Sequence, residues 1–267
     1  KNRSNFLEVS APVIAVFLTM IFGGFLFLSM GKNPFEAIKL IFWDPIMSPT
    51  FSEYSRPQLV IKAAPLILIA LGLSFGFRAN IWNIGAEGQY IMGALISGSI
   101  GLALYPLDSM FIFPLMILGG IIGGIFWAMI PAILKIRFNT NEILVSLMLV
   151  YVAEQILALA SVGFLRNPEG LGFPGSRDLS KYPSAANPEL IANSGIHMGV
   201  IFSIIAVIVL TYFLIYHRLG FQIKLLGQAP KASKFSGVNS NYIIIFCLGL
   251  SGGLAGVAGM FELTGPA

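Results

Sequence analysis

Charge is what this chain has least of. Only 10% of its 267 residues are Asp, Glu, Lys or Arg, against 56% apolar, where a soluble domain carries about 25% charged and roughly 45–50% apolar residues. A water-facing surface cannot be assembled from so few charges, so a soluble globular protein is excluded. Cysteine is limited to Cys247, inside an apolar run, so no disulfide framework exists and no redox compartment follows. The two histidines, His197 and His217, stand near opposite ends of one apolar run and cannot share a metal. No HExxH or CxxC pattern occurs, and no metal site is expected. No G-x-x-x-x-G-K-[ST] phosphate loop is present, so this chain is expected to bind no cofactor, and any ATP that drives it would sit on another chain. Gly249-Leu250-Ser251-Gly252-Gly253 satisfies the letters of a G-x-S-x-G nucleophile elbow. That elbow needs a strand-to-helix turn, whereas these letters fall within an apolar run, so no catalytic residue is assigned and an enzyme is not expected. Nor is there a broad basic face interleaved with aromatics, which a nucleic-acid partner would require.

What the chain has instead is long apolar runs. Seven can be marked, at about 12–30, 58–76, 88–104, 111–134, 142–165, 197–216 and 242–261, each roughly 17 to 25 residues and therefore long enough for a ~30 Å hydrocarbon core. Barrel strands would be shorter and alternate in polarity. The expected fold is an all-α, polytopic transmembrane bundle of about seven spans in one domain covering 1–267. Lys1 and Arg3 precede the first run as in a signal peptide, but the run from Ala11 to Met30 is too long and no small-residue cleavage site follows. It reads as a retained span. The absence of an initiator Met and the stop just after the seventh run suggest a fragment.

Cytoplasmic loops carry an excess of Lys and Arg. With the N-terminus inside, the inner segments hold Lys1, Arg3, Arg78, Lys135, Arg137, Arg218, Lys224, Lys231 and Lys234. The outer segments hold Lys32, Lys39, Arg56, Arg166, Arg177 and Lys181, and Lys62 is left inside a span. The nine-to-six balance favours a cytoplasmic N-terminus, and the loop 217–241, with four of the nine and no acidic residue, marks the cytoplasmic side. The outer segments 31–57 and 166–196 read as loops with short surface helices.

Glycine is placed for helix contact. Gly119, Gly120, Gly123 and Gly124 form overlapping small-xxx-small pairs, and Gly249, Gly252, Gly253, Gly256 and Gly259 share one side of a helix. Three polar constellations interrupt the apolar pattern. From Gln58 to Leu104 a single helix would run roughly 70 Å, more than twice a bilayer, so it must break. The break falls at Phe77 to Tyr90, FRANIWNIGAEGQY, where Trp82, Asn83, Glu87 and Gln89 are candidates for a solute pathway. Irregular polar backbone at membrane depth is tolerated only where it lines a cavity or is buried in protein. An ordinary tight connection remains the alternative, with Glu87 a carboxylate at a helix start. Asn139-Thr140-Asn141-Glu142 opens the fifth span, where Asn141 reads either as a cap or as pore lining. Deeper in that span Glu154, beside Gln155, is a further pathway candidate, because a carboxylate inside a span ordinarily faces a polar interior. The third constellation is Leu226 to Val238, a short helix opened by Pro230 and closed by Gly237, with Lys231 and Lys234 on one face beside Phe235. It reads as a docking helix for a cytoplasmic partner or as a basic helix on anionic lipid.

These three stretches resemble the membrane subunits of bacterial ABC importers of the branched-chain amino acid, ribose and nucleoside permease superfamily. NIGAEGQ, preceded by KAAPLILIALGLSFGFRANIW, is similar to the nucleoside and simple-sugar branch. NEILVSLMLVYVA is similar to that branch's N-E-[VI]-[IL]-x-[ST]-L-M-L-N-Y-[IV]-A pattern, with Val150 where Asn is usual. The loop from Gly227 matches G-x-N-P-x-A-A-x-x-x-G-[IV] at Gly227, Pro230, Ala232, Gly237 and Val238, and departs from it at Ala229 and Ser233. The resemblance implies a multi-pass subunit of the bacterial cytoplasmic membrane, paired with a second permease as hetero- or homodimer. It further implies two cytoplasmic ATPases carrying ATP and Mg, an extracytoplasmic solute-binding lipoprotein, and more spans after Ala267. On this reading Gly227, Pro230, Lys231, Ala232, Lys234, Phe235 and Gly237 form the ATPase-coupling element within loop 217–241. The solute would be a nucleoside, for which Asn, Gln and aromatic side chains offer hydrogen bonds and stacking; a simple-sugar or autoinducer permease is the alternative.

Overall fold

The computed structural model describes residues 2–191 and 194–266. Lys1, counted above among the inner basic residues, and Ala267 lie outside the described residues. Contacts divide the chain into two units, 1–59 and 60–267.

In the first unit, α1 (Asn2–Ser29) is followed by α2 (Pro34–Ile38), which packs beside Gly24 of α1. Asn33 caps α2, its side chain accepting from the Phe35 N–H at 3.1 Å, with Pro34 in the first turn where its missing N–H costs nothing. A single π-helical turn, Lys39–Trp43, leads into α3 (Asp44–Met47). The first turn of α4 (Ser52–Arg78) is tied to α3: Ser55 donates its hydroxyl to the Pro45 carbonyl at 2.5 Å and Arg56 its Nε–H to that of Ile46 at 2.7 Å. These are the short surface helices expected of the first outer segment.

The second unit contains the rest of α4 from Val60 onward, then α5 (Ala86–Ala103), α6 (Ile112–Phe138), α7 (Glu142–Val162), α8 (Met198–Tyr216), α9 (Arg218–Gln228), α10 (Pro230–Phe235) and α11 (Ser240–Thr264). Its axis is α11, which is buried along most of its length from Cys247 to Phe261. The glycines explain how. A Cβ on Gly256 would lie 2.1 Å from the Gly120 carbonyl oxygen, and one on Gly124 would lie 1.9 Å from that of Gly252. So α6 and α11 touch backbone to backbone, and the two glycine-rich helices singled out in the sequence are each other's partners. Gly93 of α5 meets Gly256 from another side.

All seven expected spans are helices, and among the described residues six of the helices are long and apolar enough to cross a membrane. The seventh, α5, carries Glu87, Gln89, Ser97 and Ser99 in 18 residues and is less apolar. It is hemmed in by α6, α7 and α11, through Gly119 against Ser97, Gly88 against Val150 and Gly93 against Gly256. A helix surrounded by protein need not present an apolar face to lipid.

The ends of the bundle differ. At one, Gly227 of α9 lies against the last turn of α4, where a Cβ would come within 2.1 Å of the Arg78 carbonyl oxygen, and Lys135 of α6 pairs with Glu142 of α7 at 2.5 Å. At the other, the Tyr182 hydroxyl bonds the Leu104 and Leu107 carbonyls. There Asn187 donates its backbone N–H to the Thr264 carbonyl at 2.9 Å and accepts from the Met198 N–H at 3.1 Å. His197 caps α8, its Nδ1 accepting from the Gly199 N–H at 3.2 Å.

Candidate functional site in the helix break

The chain leaves α4 at Arg78, passes Asn80 in the left-handed region (φ +58°), and re-enters a helix at Ala86. Asn tolerates that conformation better than most side chains, which suits it to the corner. Between the two helices the backbone runs irregularly, and its polar groups are met by side chains. The Ile84 N–H donates to the Ser146 hydroxyl at 3.2 Å, the Gly85 N–H to Asn83 Oδ1 at 3.1 Å, and the Trp82 N–H reaches Glu142 Oε1 at 3.5 Å. Gly85 lies so near Ser146 that a Cβ would be 2.6 Å from its carbonyl oxygen, so the break is clamped on the start of α7.

Asn83 and Gln89 pair their amides reciprocally. Asn83 Nδ2 donates to Gln89 Oε1 at 2.8 Å, and Gln89 Nε2 donates back to Asn83 Oδ1 at 3.1 Å. Asn83 Nδ2 also donates to the Ser251 hydroxyl at 3.0 Å. The three side chains are 3%, 1% and 1% exposed. Ser251 is the twelfth of the 25 residues of α11, about 17 Å along its axis at 1.5 Å per residue. The cluster therefore sits near the middle of a helix of membrane-spanning length, and the irregular backbone is buried in protein there, one of the two settings that hydrocarbon depth allows.

The other candidates are separated from that cluster. Trp82 packs against Phe77 with the rings tilted by 41° and their centroids 4.8 Å apart, and its indole N–H reaches Asn80 at 3.3 Å while the residue stays exposed. Asn141 is an N-cap, its side chain accepting from the Ile143 N–H at 3.0 Å. Glu154 and Gln155 are exposed on α7, beside Ala153, which is packed into a cluster with Met92 and Trp127. Glu87 is exposed and lines a cavity of about 420 Å³ with Lys62, Pro65, Leu66, Ile69, Tyr90 and Glu262. In it Lys62 of α4 and Glu262 of α11 form an ion pair.

In α10, Pro230 opens the helix and Gly237, at φ +75°, follows its end. Lys231, Ala232, Lys234 and Phe235 are exposed, Phe235 at 95%, while Ser233 is buried. Gly227 connects this element to the body of the bundle through its contact with α4. Ser251 and Glu262 were not singled out as site residues from the sequence. Ser251 stands in the G-x-S-x-G string, where its neighbours advertise packing. Glu262, one residue past the last apolar run, could have been found as an acidic counterpart for Lys62, the cation left inside a span.

A model of the branched-chain amino acid transport system permease component matches residues 56–267. The chain belongs to this family. Over 97% of its length the permease is 28% identical to the glucose ABC transporter permease protein TsgB13 of Haloferax volcanii, covering 69% of that protein. It is 27% identical over 95% of its length to the nucleoside ABC transporter permease protein NupB of Lactococcus lactis, covering 70%, and 26% identical over 95% to the guanosine ABC transporter permease protein NupP of Bacillus subtilis, covering 71%. No solved structure matches it. The permease is thus a multi-pass membrane component of an ABC transporter and not an enzyme, in a family whose importers work with ATPase and binding-protein partners.

Proposed function

We propose that this permease subunit imports a nucleoside across a bacterial cytoplasmic membrane, driven by ATP hydrolysis, with ATP and Mg held by a partner ATPase. The observation that carries a translocation role is the exposed charge on its spans. Glu154 and Glu87 are exposed on helices of the bundle, and a charged side chain facing lipid at mid-depth costs about 2.5–3.5 kcal/mol or more. A water-filled path, enclosed by a second permease of the same or a related sequence, removes that cost. The substrate reading rests on the relatives named for nucleosides and guanosine and on the motif around NIGAEGQ. A simple-sugar importer is the second reading, favoured by the relative named for glucose.

An inside N-terminus and a cytoplasmic 217–241 loop follow from the Lys and Arg balance, and the contact of Gly227 with Arg78 is consistent with two inner segments meeting. An extracytoplasmic solute-binding lipoprotein would deliver solute to the end that holds Tyr182 and Asn187. The test is uptake by the complete complex reconstituted in liposomes, comparing labelled guanosine, ribose and glucose. Saturable, ATP-dependent guanosine uptake that ribose does not inhibit is expected. Uptake of a sugar with none of the nucleoside moves the protein to the second reading.

A further inference from the structure

The end of the bundle that holds Tyr182 and Asn187 contains a buried titratable group that the transport reading leaves unused. His197 is 3% exposed and Asn187 4%. The backbone orients their pairing. The Met198 N–H donates to Asn187 Oδ1 at 3.1 Å, which fixes that atom as the oxygen and the other as the NH2. Asn187 Nδ2 lies 2.9 Å from His197 Nδ1, and the Gly199 N–H donates to the same nitrogen at 3.2 Å, so two donors share its lone pair. A ring nitrogen that accepts carries no proton. The arrangement therefore admits the neutral imidazole with its hydrogen on Nε2 and excludes the imidazolium, in which both nitrogens donate. The ring has little room to turn, since a Cβ on Gly199 would be 2.8 Å from its Cε1 and one on Gly265 would be 3.2 Å from its Cδ2 and Nε2. Rotating the Asn187 amide gives no relief: it would turn the NH2 onto the Met198 N–H and leave the Gly199 N–H facing a second donor.

We propose that Asn187 and His197 form a proton-operated latch, closed around a neutral imidazole and opened by acid. What the latch fastens follows from the other bonds of the pair. Asn187 donates its backbone N–H to the Thr264 carbonyl at the end of α11 at 2.9 Å, while its side chain holds the Met198 N–H at the start of α8. Opening it frees these ends of α8 and α11 from one another. The charged groups around the ring do not supply the missing acceptor. Glu262 of α11 and Lys62 of α4 act on it with opposite signs and are paired with each other. The exposed Glu189 stands opposite His197 across an isolated antiparallel bridge. Linkage then sets the sign: the open state takes up a proton with the ordinary imidazole pKa of about 6.5 and the closed state takes up none. Closure is fully favoured above that pH and weakens as the pH falls below it. Between about pH 7.5 and about pH 5 the ratio of closed to open latch should fall about thirtyfold. On the orientation proposed above this end faces outward, and the latch reads external pH.

The experiment is hydrogen exchange on the full permease in lipid nanodiscs, which expose both faces, so the outcome depends neither on that orientation nor on the solute carried. Protection of the Asn187, Met198 and Gly199 amides, corrected for intrinsic exchange, is compared at about pH 7.5 and about pH 5. In acid the wild type should lose about thirtyfold in protection at these three amides, with those in the middle of α11 unchanged. His197→Asn keeps a side-chain acceptor at the cap and cannot titrate, so it should be equally protected at both pH values. Asn187→Asp offers an imidazolium an acceptor, so its loss in acid should be smaller than that of the wild type. Equal protection of the wild type at the two pH values would overturn the latch. A loss in His197→Asn as large as in the wild type would overturn it too, and would assign the effect to a carboxylate such as Glu189 or Glu262. Should either variant fail to fold, the wild-type comparison still decides.

Discussion

Asn83 donates to Gln89 and Ser251 and accepts from Gly85 and Gln89, using all the hydrogen-bonding capacity an amide side chain has. That saturation lets a non-helical segment persist among buried apolar helices. Truncating Asn83 to Ala would strand the Gly85 N–H and loosen Gln89 and Ser251, and each buried polar group left unmet costs about 1–3 kcal/mol. Asn83→Ala should therefore lower the melting temperature of the purified subunit. Adding Gln89→Ala should lower it by less than the sum of the single changes, because the two amides act as one unit. If instead either change abolished uptake while leaving the melting temperature untouched, the pair would belong to the solute path itself. The sequence revealed that these residues were polar and out of place. It could not reveal that they face one another, since Ser251 is 168 residues away from Asn83.

At the scale of helices, the association of α6 with α11 depends on the absence of side chains. In lipid there is no hydrophobic force drawing helices together, so close backbone approach and packing must hold them. Gly256→Ala would place a methyl group 2.1 Å from the Gly120 carbonyl oxygen, whereas the same change at Gly249 would meet only the flexible Met129 Cε at 3.2 Å. Overpacking of the first kind costs about 1–3 kcal/mol. Gly256→Ala should thus shorten the half-life of the detergent-solubilised protein at elevated temperature while Gly249→Ala leaves it near wild type; equal behaviour of the two would refute the backbone contact. This level was the most legible, because a 3.6-residue period and a 17-to-25-residue apolar length are local properties of the string. All seven expected runs are helices for that reason. What was not legible was that α5 would be enclosed by three neighbours, since enclosure depends on how helices meet and not on any one of them. The Lys62 and Glu262 pair escaped for the same reason: one is a lone cation within a run and the other a carboxylate just past the end of another, and only the meeting of α4 with α11 pairs them.

For the whole molecule, the question is how hydrolysis on another chain could move these helices. A partner shifts a conformational equilibrium only through contacts that differ between the two states, so the permease must offer a stiff element that reaches both the partner and its own spans. We propose that α9 and α10 together do this. Gly227 seats the end of α9 against Arg78 at the exit of α4, and α11 begins at Ser240, only a few residues beyond α10. Displacing α10 would press on α4, which leads directly into the helix break, and pull on α11, which carries Ser251. The outward face of α10 presents Lys231, Lys234 and an almost fully exposed Phe235. An apolar ring held out beside two cations suits a groove in a protein with acidic edges, and it also suits an anionic lipid surface. The two occupants respond differently to substitution. For an ATPase groove the buried ring contributes most, as aromatic anchors do at interfaces, and the exposed charges contribute mainly to encounter. For a lipid surface each Lys is worth about 1 kcal/mol and salt weakens binding. Phe235→Asp should therefore abolish co-purification of the ATPase and ATP-driven uptake, while the pair Lys231→Ala, Lys234→Ala should reduce both only partly. An ATPase that stays bound and coupled to Phe235→Asp, with binding to anionic vesicles lost in the Lys pair, would assign α10 to the membrane surface and require another element to transmit the stroke.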